Sequence, residues 1–207
     1  MNKKFLDCSY VVGIALFCLA NTALAQDEPW SDSYQSEAQG DYASAILAIA
    51  PIIESDPEHE LAVLRTAWLK YLLGDYNAAI RDYDRALELN GQSLEARLGL
   101  ALPLLAQRRW REAAAASQEV LALAPWNYYA HIRLMVAEEG QRQWQTLARH
   151  ARSVAARYPG DATVLVYLAR AQARQGNLDA SQAAYRQVLE RVPGHIEATA
   201  FLAQNGG

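Results

Sequence analysis

Cysteine is nearly absent from this chain of 207 residues, and its two cysteines, Cys8 and Cys18, both lie ahead of Gln26. The chain from Gln26 onward therefore contains no disulfide and no thiolate ligand for a metal. That part of the chain is long enough for one domain with its own core. Its stability must come from packing, which suits an oxidising compartment without reliance on disulfides.

A hydrophobic run long enough to cross a membrane is also missing. The apolar segment from Tyr10 to Ala20 is shorter than the roughly 20 residues that a spanning helix needs. It follows Lys3-Lys4 and precedes Ala23-Leu24-Ala25, an order that is typical of a secretory signal peptide. We predict a signal peptide at residues 1–25, cleaved after Ala25, and a periplasmic or secreted protein with no stable membrane span. The alternative is an uncleaved membrane anchor.

The excess of basic charge that is common in nucleic-acid-binding proteins is missing as well. Removing Lys3, Lys4 and Asp7 from 19 basic and 23 acidic residues leaves 17 and 22, a formal net charge of −5. We therefore predict no nucleic-acid partner. The charge is uneven, because residues 26–64 contain no Lys or Arg, whereas residues 140–178 contain six arginines and one aspartate. Two solvated faces of opposite sign explain this, and a dipolar recognition surface is the alternative.

Patterns that would indicate catalysis or metal binding are not found. No i, i+4 pair occurs among the four histidines, which are His59, His131, His150 and His195. The adjacent carboxylates Glu138 and Glu139 would point about 100° apart on a helix, so we interpret them as a solvated helix end. Nucleophile-elbow and phosphate-loop motifs are absent. We predict a protein that is not an enzyme and binds no metal and no cofactor.

What the sequence does contain is a pattern that recurs at a fixed interval. Two copies of one motif are separated by that interval, namely Gly40, Tyr42, Ala45, Ile46 and Gly74, Tyr76, Ala79, Ile80. The bulky position of the motif continues at the same interval as Trp110, Trp144 and Leu178. A helix-stop position keeps the same phase as Pro57, Gly91, Pro125, Pro159 and Pro193. A period of about 34 residues is typical of a repeat built from helical hairpins.

This pattern resembles the tetratricopeptide repeat family over roughly residues 30–193. The resemblance implies an all-α fold, a right-handed α-solenoid of about five helical hairpins with a C-terminal capping helix at residues 195–204. We expect one domain at residues 26–207, with units at 26–57, 58–91, 92–125, 126–159 and 160–193. The turns inside the hairpins are expected at Gly40, Gly74, Arg108, Arg142 and Gly176.

Some local features of these hairpins can also be predicted. The first helix should be short, over residues 33–39, and Pro51 should kink the second helix or end it early. Asp41 and Asp75 should cap the helices that follow them. Gly91 should adopt the left-handed conformation that often ends a helix.

The resemblance further implies a concave groove, lined by the first helix of each hairpin, in which a partner binds. The positions carried over to this sequence are Trp30, Tyr34, Leu61, Leu64, Trp68, Tyr71, Leu98, Leu102, Leu105, Tyr129, Ile132, Val136, Arg170 and Arg174. Apolar side chains stand at Leu64, Trp68, Leu98 and Leu102, where family members that clamp a carboxylate carry lysine, asparagine or arginine. We therefore expect an apolar groove, although several of these residues could instead fill the space between first helices.

Two functions fit such a groove. The first is a protein interaction scaffold or adaptor in the bacterial cell envelope that holds a peptide or helix of another envelope protein. The alternative is a carbohydrate-binding or polysaccharide-export-associated module, because exposed aromatic rings also stack on sugars. A sugar would need polar groups between the aromatic residues, and Leu64, Leu98, Leu102 and Ile132 do not supply them, so the scaffold is favoured.

Overall fold

The computed structural model describes residues 28–205, so the predicted signal peptide and its cleavage site lie outside the described residues. The chain divides into two compact units between Leu89 and Asn90. We call residues 28–89 the N unit and residues 90–205 the C unit. Within these described residues there are helices and turns but no strand, and no helix combines the length and hydropathy needed to cross a membrane.

The N unit consists of two helical hairpins. Its helices are α1 (residues 28–38), α2 (Tyr42–Ser55), α3 (Glu60–Leu73) and α4 (Tyr76–Leu89). The C unit consists of three further hairpins and a final helix. Its helices are α5 (Leu94–Ala106), α6 (Trp110–Leu123), α7 (Tyr128–Gly140), α8 (Trp144–Arg157), α9 (Ala162–Arg174), α10 (Leu178–Arg191) and α11 (Ile196–Asn205).

The helix boundaries follow the repeat interval residue by residue. The second helices start at Tyr42, Tyr76, Trp110, Trp144 and Leu178, which are the bulky positions of the motif. The first helices from α3 onward start at Glu60, Leu94, Tyr128, Ala162 and Ile196, which are separated by the same interval. Inside the C unit, α5 packs on α7 and α7 on α9, so the hairpins stack in chain order. The predicted all-α fold of stacked helical hairpins is confirmed.

The turn inside each hairpin needs one residue with positive φ. Gly74 supplies it in the N unit with a φ of 86°, whereas Arg108 and Arg142 take φ values of 58° and 57° in the C unit. The same backbone hydrogen bond closes these turns, from Asp75 N to Lys70 O (2.9 Å) and from Arg109 N to Leu104 O (2.8 Å). The repeat therefore keeps its backbone geometry where it has lost its glycine.

Capping differs between the two units. The predicted caps are confirmed, since Asp41 Oδ1 accepts from Ser44 N at 3.0 Å and Asp75 Oδ1 from Ala78 N at 3.1 Å. Arg109 and Gln143 occupy the equivalent positions before α6 and α8 and make no side-chain cap. The N–H groups at the starts of α6 and α8 therefore lack the side-chain acceptor that α2 and α4 have.

Two local predictions were wrong, and the early end of α2 proposed as one effect of Pro51 does not occur. The first helix covers residues 28–38 rather than 33–39. Pro51 does not end α2, which continues to Ser55, because the loss of one hydrogen bond is offset by the burial of Ala45 and Ile49 on the same helix. Positive φ occurs at Gly40, Gly74 and Gly176 among the described glycines, so the left-handed conformation expected at Gly91 is not adopted.

Candidate functional site

The predicted groove residues all lie on first helices, α1, α3, α5, α7 and α9, and each keeps part of its side chain accessible to solvent. The fully buried side chains of the same helices, such as Ala67, Leu69 and Met135, occupy other positions. The predicted residues are thus distinct from the fully buried side chains, although Ile132 packs against the core around Met135.

In the N unit, four of these residues recur at helical spacing on α3. Leu61, Leu64, Trp68 and Tyr71 are three or four residues apart, so they share one face. Tyr34 of α1 adjoins this face, because the Arg65 guanidinium lies 4.0 Å from the centre of its ring. Leu61 is 63% exposed and Tyr34 is 57% exposed, so both are accessible apolar side chains. We call Tyr34, Leu61, Leu64, Trp68 and Tyr71 the N-unit surface.

A polar cluster beneath the N-unit surface was not predicted. Glu37 of α1 accepts a hydrogen bond from Trp68 Nε1 at 2.7 Å and forms an ion pair with Arg65, which is itself buried. Arg65 Nε also donates to the buried hydroxyl of Ser33 at 3.0 Å. Burial acts to raise the pKa of Glu37, but the hydrogen bonds from Trp68 and Arg65 and the charge of Arg65 outweigh it, so the pKa is lowered. This cluster ties α1 to α3 and holds Trp68 in place.

The position of Arg65 is the signal that could have revealed this cluster. It is the first basic residue after a long acidic stretch, and it lies on a helix whose other face is apolar. A basic residue in that setting often pairs with a carboxylate of the neighbouring helix.

In the C unit, the predicted residues of α5 and α7 are accessible to different degrees. Leu98, Leu102 and Leu105 are half-buried on α5, and Ile132 and Val136 are half-buried on α7. Tyr129 is 63% exposed and packs edge-on against Tyr128, with 5.6 Å between the ring centres. Apart from Tyr129, these positions are half-buried, as Leu64, Trp68 and Tyr71 are in the N unit, and none is as exposed as Tyr34 or Leu61.

The predicted arginines of α9 line an open pocket of about 660 Å³ in the C unit. Arg170 binds Glu197 of α11 through two hydrogen bonds, of 2.7 and 2.5 Å, and lies 3.4 Å from Glu139. The hydrogen bond from Arg170 is the main reason that the pKa of Glu197 is lowered. Arg174 is exposed and lies 5.8 Å from the ring centre of Trp144. Arg170 therefore holds α11 in place, and Arg174 is the more accessible of the two.

Glu138 was interpreted wrongly from the sequence, and a contact between two of the histidines was not predicted. His131 and His150 lie on different helices, α7 and α8, but their ring atoms Nδ1 and Nε2 are 2.9 Å apart. His150 Nδ1 is in turn 2.9 Å from Glu138 Oε2, and His131 Nε2 is 3.1 Å from the Pro125 carbonyl oxygen. Glu138 is only 5% exposed, so it is not part of a solvated helix end.

The spacing of His131 and Glu138 on α7 could have hinted at this arrangement, because residues seven apart share a helix face. The position of His150 depends on how α8 packs, which spacing within one helix does not reveal. No group of three or more His, Cys, Asp or Glu side chains among the described residues is arranged to hold a metal ion.

Two family profiles match the chain. Residues 38–120 match the family described as anaphase-promoting complex, cyclosome, subunit 3, and residues 163–195 match the tetratricopeptide repeat. No curated protein sequence matches the chain.

Solved structures of tetratricopeptide type are similar in fold. MamA 41-end from Desulfovibrio magneticus RS-1 superposes with a TM-score of 0.75 and 17% identity, over 81% of this chain and 95% of that chain. The thermophilic TPR protein TTC0263 of Thermus thermophilus superposes with a TM-score of 0.63 and 17% identity, over 86% and 97% of the two chains. At this identity the likeness concerns the fold. The fold and the regular register of the helices are those of tetratricopeptide repeat proteins, and residues 163–195 match the profile of that repeat.

Proposed function

We propose that this protein is a non-catalytic interaction scaffold of the bacterial cell envelope that binds a peptide or helix of another envelope protein on the N-unit surface. The observation that supports this most is the exposure of Tyr34 and Leu61 beside the half-exposed ring of Trp68. Tetratricopeptide hairpins commonly serve in protein–protein interaction. The envelope location rests on the predicted signal peptide.

The N-unit surface suits apolar side chains better than a carboxylate. The charged groups beneath it are Arg65 and Glu37, and these neutralise each other under the aromatic rings. Because Trp68 is fixed by its hydrogen bond to Glu37, a partner does not have to order that ring when it binds. A rigid aromatic side chain with exposed apolar neighbours is the usual centre of a binding hot spot.

A carbohydrate partner is less well supported by the same residues. Sugar hydroxyls need free polar groups between the rings on which the sugar stacks. The Trp68 indole N–H donates to Glu37, and that carboxylate also binds Arg65, so both groups are already used within the N unit. Among the other members of the N-unit surface on α3, Leu61 and Leu64 carry no polar group, and Tyr71 carries a single hydroxyl.

The test compares two exposed leucines of the N unit. Leu61 on α3 is 63% exposed and Leu47 on α2 is 71% exposed, so replacing either with serine leaves the core intact. The wild-type protein, residues 26–207, is used to capture partners from envelope extract, and the captured protein is then titrated against each variant. We expect Leu61→Ser to weaken binding about tenfold, corresponding to roughly 1.4 kcal/mol, and Leu47→Ser to leave it unchanged. Equal affinities for the two variants would show that the functional face lies elsewhere.

Substitution of Trp68 needs a control because this residue also contributes to folding. Trp68→Ala removes both the apolar face and the hydrogen bond to Glu37, whereas Trp68→Phe removes only the bond. We expect Trp68→Ala to reduce binding well over tenfold and Trp68→Phe to reduce it much less, with circular dichroism unchanged in Trp68→Phe. If Trp68→Ala fails to bind only because it unfolds, Trp68 belongs to the core.

A further inference from the structure

The contacts of the buried pair His131 and His150 in the C unit indicate which ring nitrogens carry protons. A carbonyl oxygen only accepts hydrogen bonds, so the contact between His131 Nε2 and the Pro125 carbonyl oxygen requires the N–H of that ring on Nε2. The contact between His150 Nδ1 and Glu138 Oε2 likewise places the N–H of His150 on Nδ1, facing the carboxylate. Two neutral imidazoles arranged in this way each have their bare nitrogen on the inner side.

Those two inner nitrogens face each other. His131 Nδ1 and His150 Nε2 are 2.9 Å apart, the distance of a hydrogen bond. Two lone pairs at this distance repel each other, and the rings are too buried for water to relieve the repulsion. The side chains of His150 and Glu138 are only 13% and 6% exposed. Three hydrogen bonds in a row need three protons, and two neutral imidazoles supply two.

We propose that Glu138, His150, His131 and the Pro125 carbonyl form a chain that holds one additional proton, shared between His131 Nδ1 and His150 Nε2, and that this proton locks α8 onto α7 near neutral pH. The positive charge of the imidazolium is balanced by the Glu138 carboxylate. The proton resides on the imidazole pair rather than on Glu138, because a free imidazole binds a proton about two pKa units more tightly than a free carboxylate.

The other charged groups near this chain are directed elsewhere. Glu139 of α7 faces Arg170 of α9, and Arg133 of α7 donates to the Leu98 carbonyl of α5. Arg157 of α8 lies over the Trp126 ring, whose other neighbour is His131 at 5.7 Å between ring centres. The other charged side chains on α6 and the first part of α8 are exposed. They are Arg111, Glu112, Glu119, Arg149 and Arg152. Glu138 is therefore the counter-ion in contact with the pair.

A second proton on the pair is disfavoured. Burial lowers the pKa of His131, and the positive charge of His150 lowers it further, against smaller opposing effects of the Pro125 carbonyl and Glu138. Because the unfolded chain then binds more protons at His131, stability from this residue is present above about pH 6.5 and is lost as the pH falls through its folded pKa.

The lowered pKa of His131 predicts that the contact between α7 and α8 loosens as the pH falls below about 6.5. Tyr129, Ile132 and Val136 also lie on α7, so loosening of this hairpin would change that accessible surface. The proposal rests on the geometry of the C unit and is independent of the partner proposed for the N-unit surface.

The test is a pH titration of the histidine ring nitrogens by NMR on the ¹⁵N-labelled protein, residues 26–207. His59 and His195 are internal controls, because each ring accepts a hydrogen bond at Nδ1 from the start of its own helix, Ala62 N and Ala198 N. We expect the spectrum at neutral pH to show N–H at His131 Nε2 and at His150 Nδ1. A third proton should be shared by the two inner nitrogens of this pair, whereas neither control histidine shares a proton with a second ring.

A pair of variants tests the role of the counter-ion. Glu138→Gln keeps an acceptor for His150 Nδ1 but removes the charge, so we expect at least about a tenfold loss of proton affinity, roughly one pKa unit of the pair. Glu139→Gln removes the adjacent charge that faces Arg170 and should leave the titration of the pair unchanged. Two neutral imidazoles at neutral pH in the wild type, or the same titration in Glu138→Gln and Glu139→Gln, would overturn the proposal. The wild-type spectrum tests the shared proton even if Glu138→Gln does not fold.

Discussion

The N unit and the first two hairpins of the C unit make the same helical turn with different residues, whereas the third hairpin of the C unit again uses a glycine, Gly176. In the N unit, Gly74 takes a φ of 86° at no steric cost, and Asp75 caps the next helix. In the C unit, Arg108 and Arg142 take φ values of 58° and 57°, and Arg109 and Gln143 provide no side-chain cap. A side chain in this conformation costs roughly 1 kcal/mol or more. The C unit must recover that energy through its packing.

Part of that packing is a contact between α6 and α7. Trp110, the first residue of α6, lies against Gly140, the last residue of α7, so closely that a Cβ atom built on Gly140 would be 2.4 Å from the Trp110 ring. The lack of a side chain at Gly140 therefore leaves room for the indole ring of Trp110. We expect this contact to support the turn that Arg108 makes without a glycine.

The largest expected effect comes from breaking this contact. Gly140→Ala would force the Trp110 ring to move, and overpacking of this kind typically destabilises by about 2 kcal/mol. Gly160→Ala is the control, since nothing lies within 4 Å of its Cβ position. Amide hydrogen exchange in α6 and α7 measures the free energy of opening. Equal protection in the two variants would mean that Trp110 does not support the turn.

A smaller effect is expected from the glycine turn of the N unit. Gly74→Ala keeps the space but places a Cβ on a residue with positive φ, so we expect a loss of about 1 kcal/mol. Arg108 of the wild-type protein already carries a Cβ at positive φ, so Arg108→Ala should change stability by much less. Amide hydrogen exchange in α3 and α4 measures the effect of Gly74→Ala, and exchange in α5 and α6 measures that of Arg108→Ala. If Arg108→Ala proved as costly as Gly74→Ala, the arginine side chain itself would be stabilising its turn.

The smallest effect should be a gain in stability. Arg108→Gly relieves the strained φ but increases the conformational freedom of the unfolded chain, and the difference leaves about 0.5 kcal/mol of stabilisation. Arg142→Gly is an independent repetition in the next hairpin. Urea unfolding followed by circular dichroism, together with exchange in α6 and α8, would detect the gain. A loss of stability in both variants would show that the two turns are not strained.

Periodic features of the fold could be predicted from the sequence, and features that depend on contact between helices could not. The start of every second helix and the five turns follow from one interval because each hairpin repeats the same local geometry. An early end of α2 was considered at Pro51 because a proline signals a local break. Burial of Ile49 and its neighbours lets the helix continue to Ser55. The candidate surface was predicted as a set of positions carried over from the resemblance to the tetratricopeptide repeat family, and helical spacing explains why the positions on one helix share a face.

The sequence by itself determined that this protein is a series of helical hairpins, where each begins, and which helix faces are apolar, because these depend on residues close together in the chain. Only the tertiary structure decided which polar side chains meet across helices. It brought Glu37 to Arg65 and Trp68, and His131 to His150, over separations of 28, 31 and 19 residues. Such pairs depend on the packing of one helix on another, and burial gives them their strength because water no longer competes for their hydrogen bonds.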